Sequence, residues 1–168
     1  MVISSDIRLV GGEWVAAINA YSNIFTSKTN YQVYLLSTAI GIMYDEQVDL
    51  SGTKSDDNPP SVPRNVFNRN NSPFDIMYQT AILTSKNVDL SENERIDLAF
   101  DDKEADVSKI EFLTKFANYG VTKLLDQVGS DELETMEKLK IFLTSSMEGS
   151  NFDIDSIDDL LDEIDDEP

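Results

Sequence analysis

The chain has 168 residues and contains neither cysteine nor histidine. Without cysteine there are no disulfides, no thiolate nucleophile and no thiolate metal site, and a reducing compartment is compatible with the composition. Without histidine the commonest general base, the commonest metal ligand and the usual switch near neutral pH are gone, and a Ser-His-Asp triad cannot be built. Positive charge is scarce: 13 Lys and Arg stand against 32 Asp and Glu, a formal net charge of −19. Direct nucleic-acid binding needs phosphates to be neutralised by Lys and Arg, so it is not expected. Long apolar runs are missing too. The longest, "VYLLSTAIGIMY", holds Ser37 and Thr38 and falls short of the ~20 residues a membrane span needs. The start, "MVISSDIRLVGG", has no basic region followed by an apolar one, so no signal peptide is expected. These absences predict a cytoplasmic protein with no membrane contact.

The usual signatures of chemistry are also wanting. Neither G-x-x-x-x-G-K-[ST] nor G-x-G-x-x-G nor G-x-S-x-G occurs, so no phosphate cradle or nucleophile elbow is expected and no cofactor is assigned. "FDDKEAD" offers Asp101, Asp102, Glu104 and Asp106, but an acidic helix start is what the helix dipole favours. Ser27–Lys28 and Ser85–Lys86 read as helix-end surface residues. In "DIDSIDDLLDEI", Asp153 and Asp155 are spaced as in a calcium loop. However, the third ligand position falls on Ile157, and Asp158 stands where the turn needs Gly, so no metal site is assigned. The expectation is a protein that is not an enzyme.

What the sequence does hold is helical periodicity. Trp14, Ala17, Ile18, Tyr21, Ile24 and Phe25 mark a helix over about 13–25. Tyr31, Tyr34, Leu35, Thr38, Ala39, Ile42 and Met43 mark a second, whose other side is also apolar (Val33, Leu36, Ile40), which predicts a central position. Gly41 would let another helix approach closely. "DEQVDLSGTKSDDNPPSVPRN" is rich in Pro, Gly, Asp and Asn and predicts an exposed loop of about 15–20 residues around 45–65, long for a compact domain. Ser72 is expected to cap the next helix, with Pro73 first and Asp75 in the capping-box position. Ser91 with Glu94 forms a full capping box before Ile96, Leu98, Ala99 and Phe100. The longest helix is predicted over about 104–128, through Ile110, Leu113, Phe116, Ala117, Val121, Leu124, Leu125 and Val128. Gly129 ends it, and Ser130 caps another over about 131–146 that presents Leu133, Met136, Leu139, Lys140, Phe142 and Leu143. Strand signals are confined to "IRLV" at 7–10. The predicted fold class is mainly all-α, an irregular bundle of about six helices with a short N-terminal strand and an acidic C-terminal helix. Residues 1–147 form the helical domain and 148–168 an acidic amphipathic tail.

That tail is the most distinctive stretch. Residues 148–168 carry ten acids and no base, a net −10, whereas 1–147 carry −9. Ile154, Ile157, Leu160, Leu161 and Ile164 fall on one helical face, with Asp155, Asp158, Asp159, Asp162, Glu163 and Asp166 around the rest. A helix of about 10–12 residues is too short to persist alone, and acids at its C-terminal end oppose the dipole. It therefore needs a surface. Three fates stay open: packing on its own body, docking into a partner's groove with a basic rim, or disorder. The candidate partner-binding residues are Ile154, Ile157, Asp158, Asp159, Leu160, Leu161, Asp162 and Ile164.

Three further stretches, "YQVYLLSTAIGIMYDEQVDLSG", "NVFNRNNSPFDIMYQTAIL" and "EFLTKFANYGVTKLL", resemble in order and spacing a central helix, a Val-Phe step with the following helix, and a closing helix. These are elements of small proteins associated with bacterial Dnd systems, which couple DNA phosphorothioate modification to restriction. The resemblance covers about residues 25–128. That family usually begins with a basic stretch, which this chain lacks. The resemblance implies a non-enzymatic accessory or regulatory protein of anti-phage defence, acting by protein–protein contacts with a partner such as a nuclease or motor subunit. It carries over no catalytic residues. The alternative is an acidic DNA mimic, phage or plasmid encoded, that inhibits a DNA-binding defence protein by occupying its basic channel.

Overall fold

The computed structural model describes residues 1–50, 58–100 and 106–148. Among them are seven helices and one two-stranded sheet: β1 (Ile7–Arg8), α1 (Gly12–Tyr21), α2 (Thr29–Tyr44), β2 (Ser61–Val62), α3 (Arg64–Arg69), α4 (Ser72–Thr84), α5 (Glu92–Phe100), α6 (Asp106–Leu125) and α7 (Glu132–Glu148). The protein is mainly α-helical, as the periodicity predicts. It divides into two compact units, Met1–Val128 and Gly129–Pro168.

The first unit is organised around α2 and α6. Both sides of α2 are apolar, and residues from both sides are buried: Tyr31, Tyr34 and Thr38 with Val33, Ser37 and Ile40. The helix meets α6 backbone to backbone. A β-carbon added at Gly41 would lie 2.0 Å from the Phe116 carbonyl oxygen, and one at Gly120 would lie 1.8 Å from that of Ser37. The close approach expected of Gly41 is real, and Gly120 is its counterpart. Aromatic rings then fill the space beside the crossing. Phe67 packs on Phe74 at 4.9 Å between centroids, Phe74 on Tyr34 at 5.4 Å, and Tyr34 on Trp14 at 6.1 Å. All four are fully buried, and burying one such side chain contributes roughly 1.5–3 kcal/mol. Their polar tips are satisfied: Trp14 Nε1 donates to Asn118 Oδ1 at 3.0 Å, and Tyr34 Oη pairs with Thr114 Oγ1 at 2.9 Å.

The stretch expected to be an exposed loop is partly structured. β2 pairs antiparallel with β1, Ile7 opposite Val62 and Arg8 opposite Ser61, and both Val62 and Phe67 are buried. The prolines hide this from a sequence reading. Pro60 still accepts from the Leu9 N–H at 2.9 Å through its carbonyl, and Pro63 in extended conformation is the residue before α3, where a missing N–H does no harm. The rest of the expected loop, 51–57, lies outside the described residues. The N-terminus is also tied down. The Met1 amino group pairs with Asp75 at 3.0 Å, and the Ile3 backbone exchanges two hydrogen bonds with the Asn68 side chain, at 2.9 and 3.0 Å.

Several local expectations are corrected. α1 stops at Tyr21, short of 25, because the Ser22 hydroxyl donates back to the Asn19 carbonyl and competes with further helix. Phe25 nonetheless stacks on Tyr21. Ser72 is the first helical residue instead of the cap, Asn71 precedes it, and no side chain caps α4; Asp75 is engaged by Met1. The Ser91–Glu94 box forms as expected, with the Ser91 hydroxyl and Glu94 carboxylate 2.6 Å apart. Leu35 is only half-buried and Met43 exposed, since the crossing turns the Ser37–Gly41 face of α2 toward α6. Ile96 and Phe100 of α5 are exposed. That helix is held instead by Arg95, whose guanidinium donates to the Ile82, Val88 and Leu90 carbonyls.

In the second unit the Glu134 N–H is accepted by Asp131 Oδ1 at 2.9 Å, so Asp131 caps α7 where Ser130 was expected. Ser130 instead donates its amide and hydroxyl to the Glu134 carboxylate, at 2.7 and 2.6 Å. Leu133, Met136 and Ile141 are exposed. Among the described residues no helix is long and apolar enough to cross a membrane.

Candidate functional site

The residues singled out in the acidic tail, Ile154, Ile157, Asp158, Asp159, Leu160, Leu161, Asp162 and Ile164, lie outside the described residues. So do Asp101, Asp102 and Glu104. Asp106 opens α6 and accepts the Val2 N–H at 2.6 Å, the structural role that a helix start favours. Ser85 is not a surface residue: it ends α4 buried, and its Oγ has no partner. Among the described residues no three Asp or Glu side chains converge as a metal would require.

The structure instead supplies a cleft in the first unit that a sequence reading does not reveal. Its volume is about 530 Å³, within the roughly 300–1,000 Å³ typical of ligand sites. One wall is α6, where Val107, Ile110, Glu111, Thr114, Lys115 and Asn118 recur at helical spacing and line the cavity. The opposite wall is the N-terminal segment around β1, with Ile3, Asp6, Ile7, Arg8 and Val10. Leu50 and Asp49 complete the lining. They come from a segment pinned along α6. The Val48 N–H donates to the Lys115 carbonyl at 2.9 Å, Asn118 Nδ2 donates to the Val48 carbonyl at 3.0 Å, and Lys115 Nζ meets Asp49 at 2.9 Å. Asn118 thus serves both ways, since its Oδ1 holds the Trp14 indole.

The strand wall has an unequal pair of edges. Leu9 donates to Pro60 across the ladder. Opposed residues in an antiparallel pair alternate between hydrogen-bonded and non-bonded, so Ile7 and Val62 form the next bonded pair. Arg8 and Ser61 lie between them, and their backbone groups point outward. On the β2 side this edge is covered: the Ser61 carbonyl accepts from Asn30 Nδ2 at 2.7 Å. On the β1 side the Arg8 N–H and carbonyl have no partner among the described residues, and Arg8 lines the cleft. Ile7 and Leu9 are buried while Arg8 is exposed, so the alternation in "IRLV" does announce the strand. Nothing in the sequence announces that its partner sits among prolines or that α6 stands across from it.

Electrostatically the cleft is mixed and slightly acidic, with Asp6, Asp49 and Glu111 against Arg8 and Lys115. Lys115 is matched by Asp49, and Asp6 accepts the Arg64 N–H at 2.9 Å. Glu111 is exposed on α6. The strongly perturbed phenols lie in the core: burial pushes Tyr21 up to about 12 and raises Tyr34 and Tyr31. Such shifts follow from burial and require no catalytic role.

No protein-family model, curated protein or solved structure matches this chain.

Proposed function

We propose that this chain is a non-enzymatic accessory or regulatory protein of a bacterial DNA-modification-linked anti-phage system of the phosphorothioation type, acting through protein–protein contacts. The observation that carries the binding role is the placement of charge. The last 21 residues hold ten acids, no base and six apolar residues, five of them spaced for one helical face. That combination suits a segment that lays an apolar stripe into a groove with a basic rim. The body supports it as a scaffold, because α2 and α6 touch backbone to backbone and their packing leaves little freedom to deform. The connection to DNA-modification defence rests on the resemblance of residues 25–128 alone, and the cytoplasmic location on composition.

The test is co-purification. The full chain, tagged, is expressed with the nuclease and motor subunits of a phosphorothioation-linked restriction system. A subunit should be retained, and the double change Leu160→Asp with Leu161→Asp should release it while circular dichroism of the chain stays the same. Retention undiminished by that change, or by deletion of 148–168, would remove the tail from the binding role. A complex displaced by duplex DNA in proportion to its concentration would favour the second reading, an acidic DNA mimic, which the net charge of −19 also suits.

A further inference from the structure

We propose that the cleft between β1 and α6 is a second binding site, separate from the acidic tail. It takes an extended, apolar peptide segment of basic character from another protein, which adds as a third strand to the open edge of β1.

The asymmetry of the small sheet carries this. Two outward-facing edges exist, and the fold treats them differently. Asn30 reaches from α2 to cover the Ser61 carbonyl on one. On the other, the Arg8 N–H and carbonyl have no partner among the described residues, and Arg8 lines a cleft of about 530 Å³. An open strand edge offers a row of main-chain donors and acceptors to any extended chain. Such edges are commonly blunted by short strands, charge, proline, bulges or a covering element. Here the edge faces a helix across a cavity, the arrangement in which an added strand is held by main-chain hydrogen bonds while its alternate side chains enter an apolar lining. Ile3, Val10, Leu50, Val107 and Ile110 supply that lining. They would accept Val- or Ile-sized side chains at every second position, because side chains alternate along a strand.

Charge selects the sign of the occupant. Once Lys115 is matched by Asp49, the other charged residues of the lining are Asp6 and Glu111 against Arg8. The unit that holds the cleft, residues 1–128, carries 18 Asp and Glu against 11 Lys and Arg, a net −7. An acidic segment would be repelled, and a basic one attracted over a Debye length of about 8–10 Å. The tail and the cleft would thus both favour basic partners through different physics, the tail through an amphipathic helix and the cleft through main-chain pairing.

The test uses the full chain and a fluorescein-labelled, acetylated and amidated heptapeptide, Val-Lys-Val-Thr-Val-Lys-Val. Binding by anisotropy is expected below about 1 mM. In the free chain the Arg8 amide should exchange rapidly with solvent, and it should become protected at saturating peptide. Arg8→Pro removes the outward N–H without touching the ladder to β2, since proline is tolerated where a strand's N–H faces away from its partner. It should weaken binding by about tenfold or more, whereas Arg8→Ala, which keeps the N–H, should not. Glu111→Lys, at an exposed position, should also weaken binding and serves if Arg8→Pro fails to fold. Replacing both peptide lysines by glutamate should do the same. The proposal is overturned if the Arg8 amide is already protected in the free chain, because the edge is then filled from within. It is equally overturned if no binding occurs up to that concentration, or if Arg8→Pro and Glu111→Lys both bind as the wild type does.

Discussion

Gly41 and Gly120 face each other across the α2–α6 crossing, so closely that a β-carbon on Gly120 would lie 2.8 Å from the Gly41 backbone nitrogen. The relationship is reciprocal, since each glycine also admits a carbonyl of the opposite helix: Phe116 at Gly41 and Ser37 at Gly120. The obstacle in every case is backbone, which cannot rotate away as a side chain would. Gly41→Ala and Gly120→Ala should therefore each force the helices apart. Each should destabilise the chain by at least the roughly 1–3 kcal/mol of an overpacked core, read from urea unfolding. Gly12→Ala is the control. It lies in the first turn of α1 with nothing within 4 Å of the added carbon, and it should be neutral or stabilise by up to about 1 kcal/mol.

Asn118 joins the core to the cleft, because the same amide holds the Trp14 indole and the Val48 carbonyl. Asn118→Ala strands the indole N–H in a fully buried position and frees the 48–50 segment from one of its two backbone-level ties to α6. Leaving a buried donor unpaired costs about 1–3 kcal/mol, so the midpoint of urea unfolding should fall accordingly. Trp14 is the only tryptophan, which makes its emission a direct reporter. The folded variant should show a shifted emission maximum, and an unchanged spectrum would mean that the indole has found another acceptor.

The helices were legible because burial follows the 3.6-residue period. Trp14, Ala17 and Tyr21 in α1 and Ile110, Leu113, Phe116, Ala117, Val121 and Leu124 in α6 are all buried where their spacing places them. What periodicity cannot show is how far around a helix the covering extends. Leu35 and Val33 look alike in sequence, yet Val33 is buried and Leu35 half-exposed, a difference set by where α6 crosses. Likewise Phe100 lies on an apolar stripe but is 67% exposed, because α5 is anchored through Arg95 to carbonyls instead of through a greasy face. β2 and α3 were missed for another reason. Their stretch combines Pro59, Pro60 and Pro63, and proline weighs against both ladder and helix unless its carbonyl accepts or it stands just before a first turn, as Pro60 and Pro63 do. The cleft depends on that hidden strand and could not be foreseen. The tail's amphipathic pattern was readable, and its eight singled-out residues fall outside the described ones.

Glu134 should titrate far below an ordinary glutamate. The Ser130 hydroxyl and amide donate to its carboxylate and Lys138 lies 2.9 Å away, which together hold it at about 2 instead of 4.5. A carboxyl whose value is lowered by folding stabilises the folded form fully above its unfolded value, and that contribution disappears as pH falls through the folded one. The start of α7 should therefore stay intact at pH 5 and loosen between about 4.5 and 2. Carboxyl carbon shifts of Glu134 followed against pH would show this. Ser130→Ala should move the midpoint upward because it removes the hydroxyl, the largest of the contributors. A midpoint unchanged by that substitution would assign the shift to the Ser130 amide and Lys138 instead.

At the other end of the pH scale, Tyr21 offers a test of the α1–α6 contact. Its hydroxyl donates to the Leu124 carbonyl at 2.9 Å from a fully buried ring, and desolvation lifts its pKa from 10 to about 12. For a phenol held neutral by the fold the sign is opposite to that of Glu134: the stabilisation is complete below 10 and is lost as pH rises through about 12. Ultraviolet titration should thus show late-ionising phenols, Tyr21, Tyr31 and Tyr34 among them. Tyr21→Phe should remove one phenol from the late group. It should also cost about 0.5–1.5 kcal/mol, the loss of one hydrogen bond to the Leu124 carbonyl, which keeps the Gln127 N–H at 3.2 Å. If the late signal keeps its amplitude in that variant, Tyr21 does not ionise late, and α1 does not seal the end of α6 as the hydrogen bond indicates.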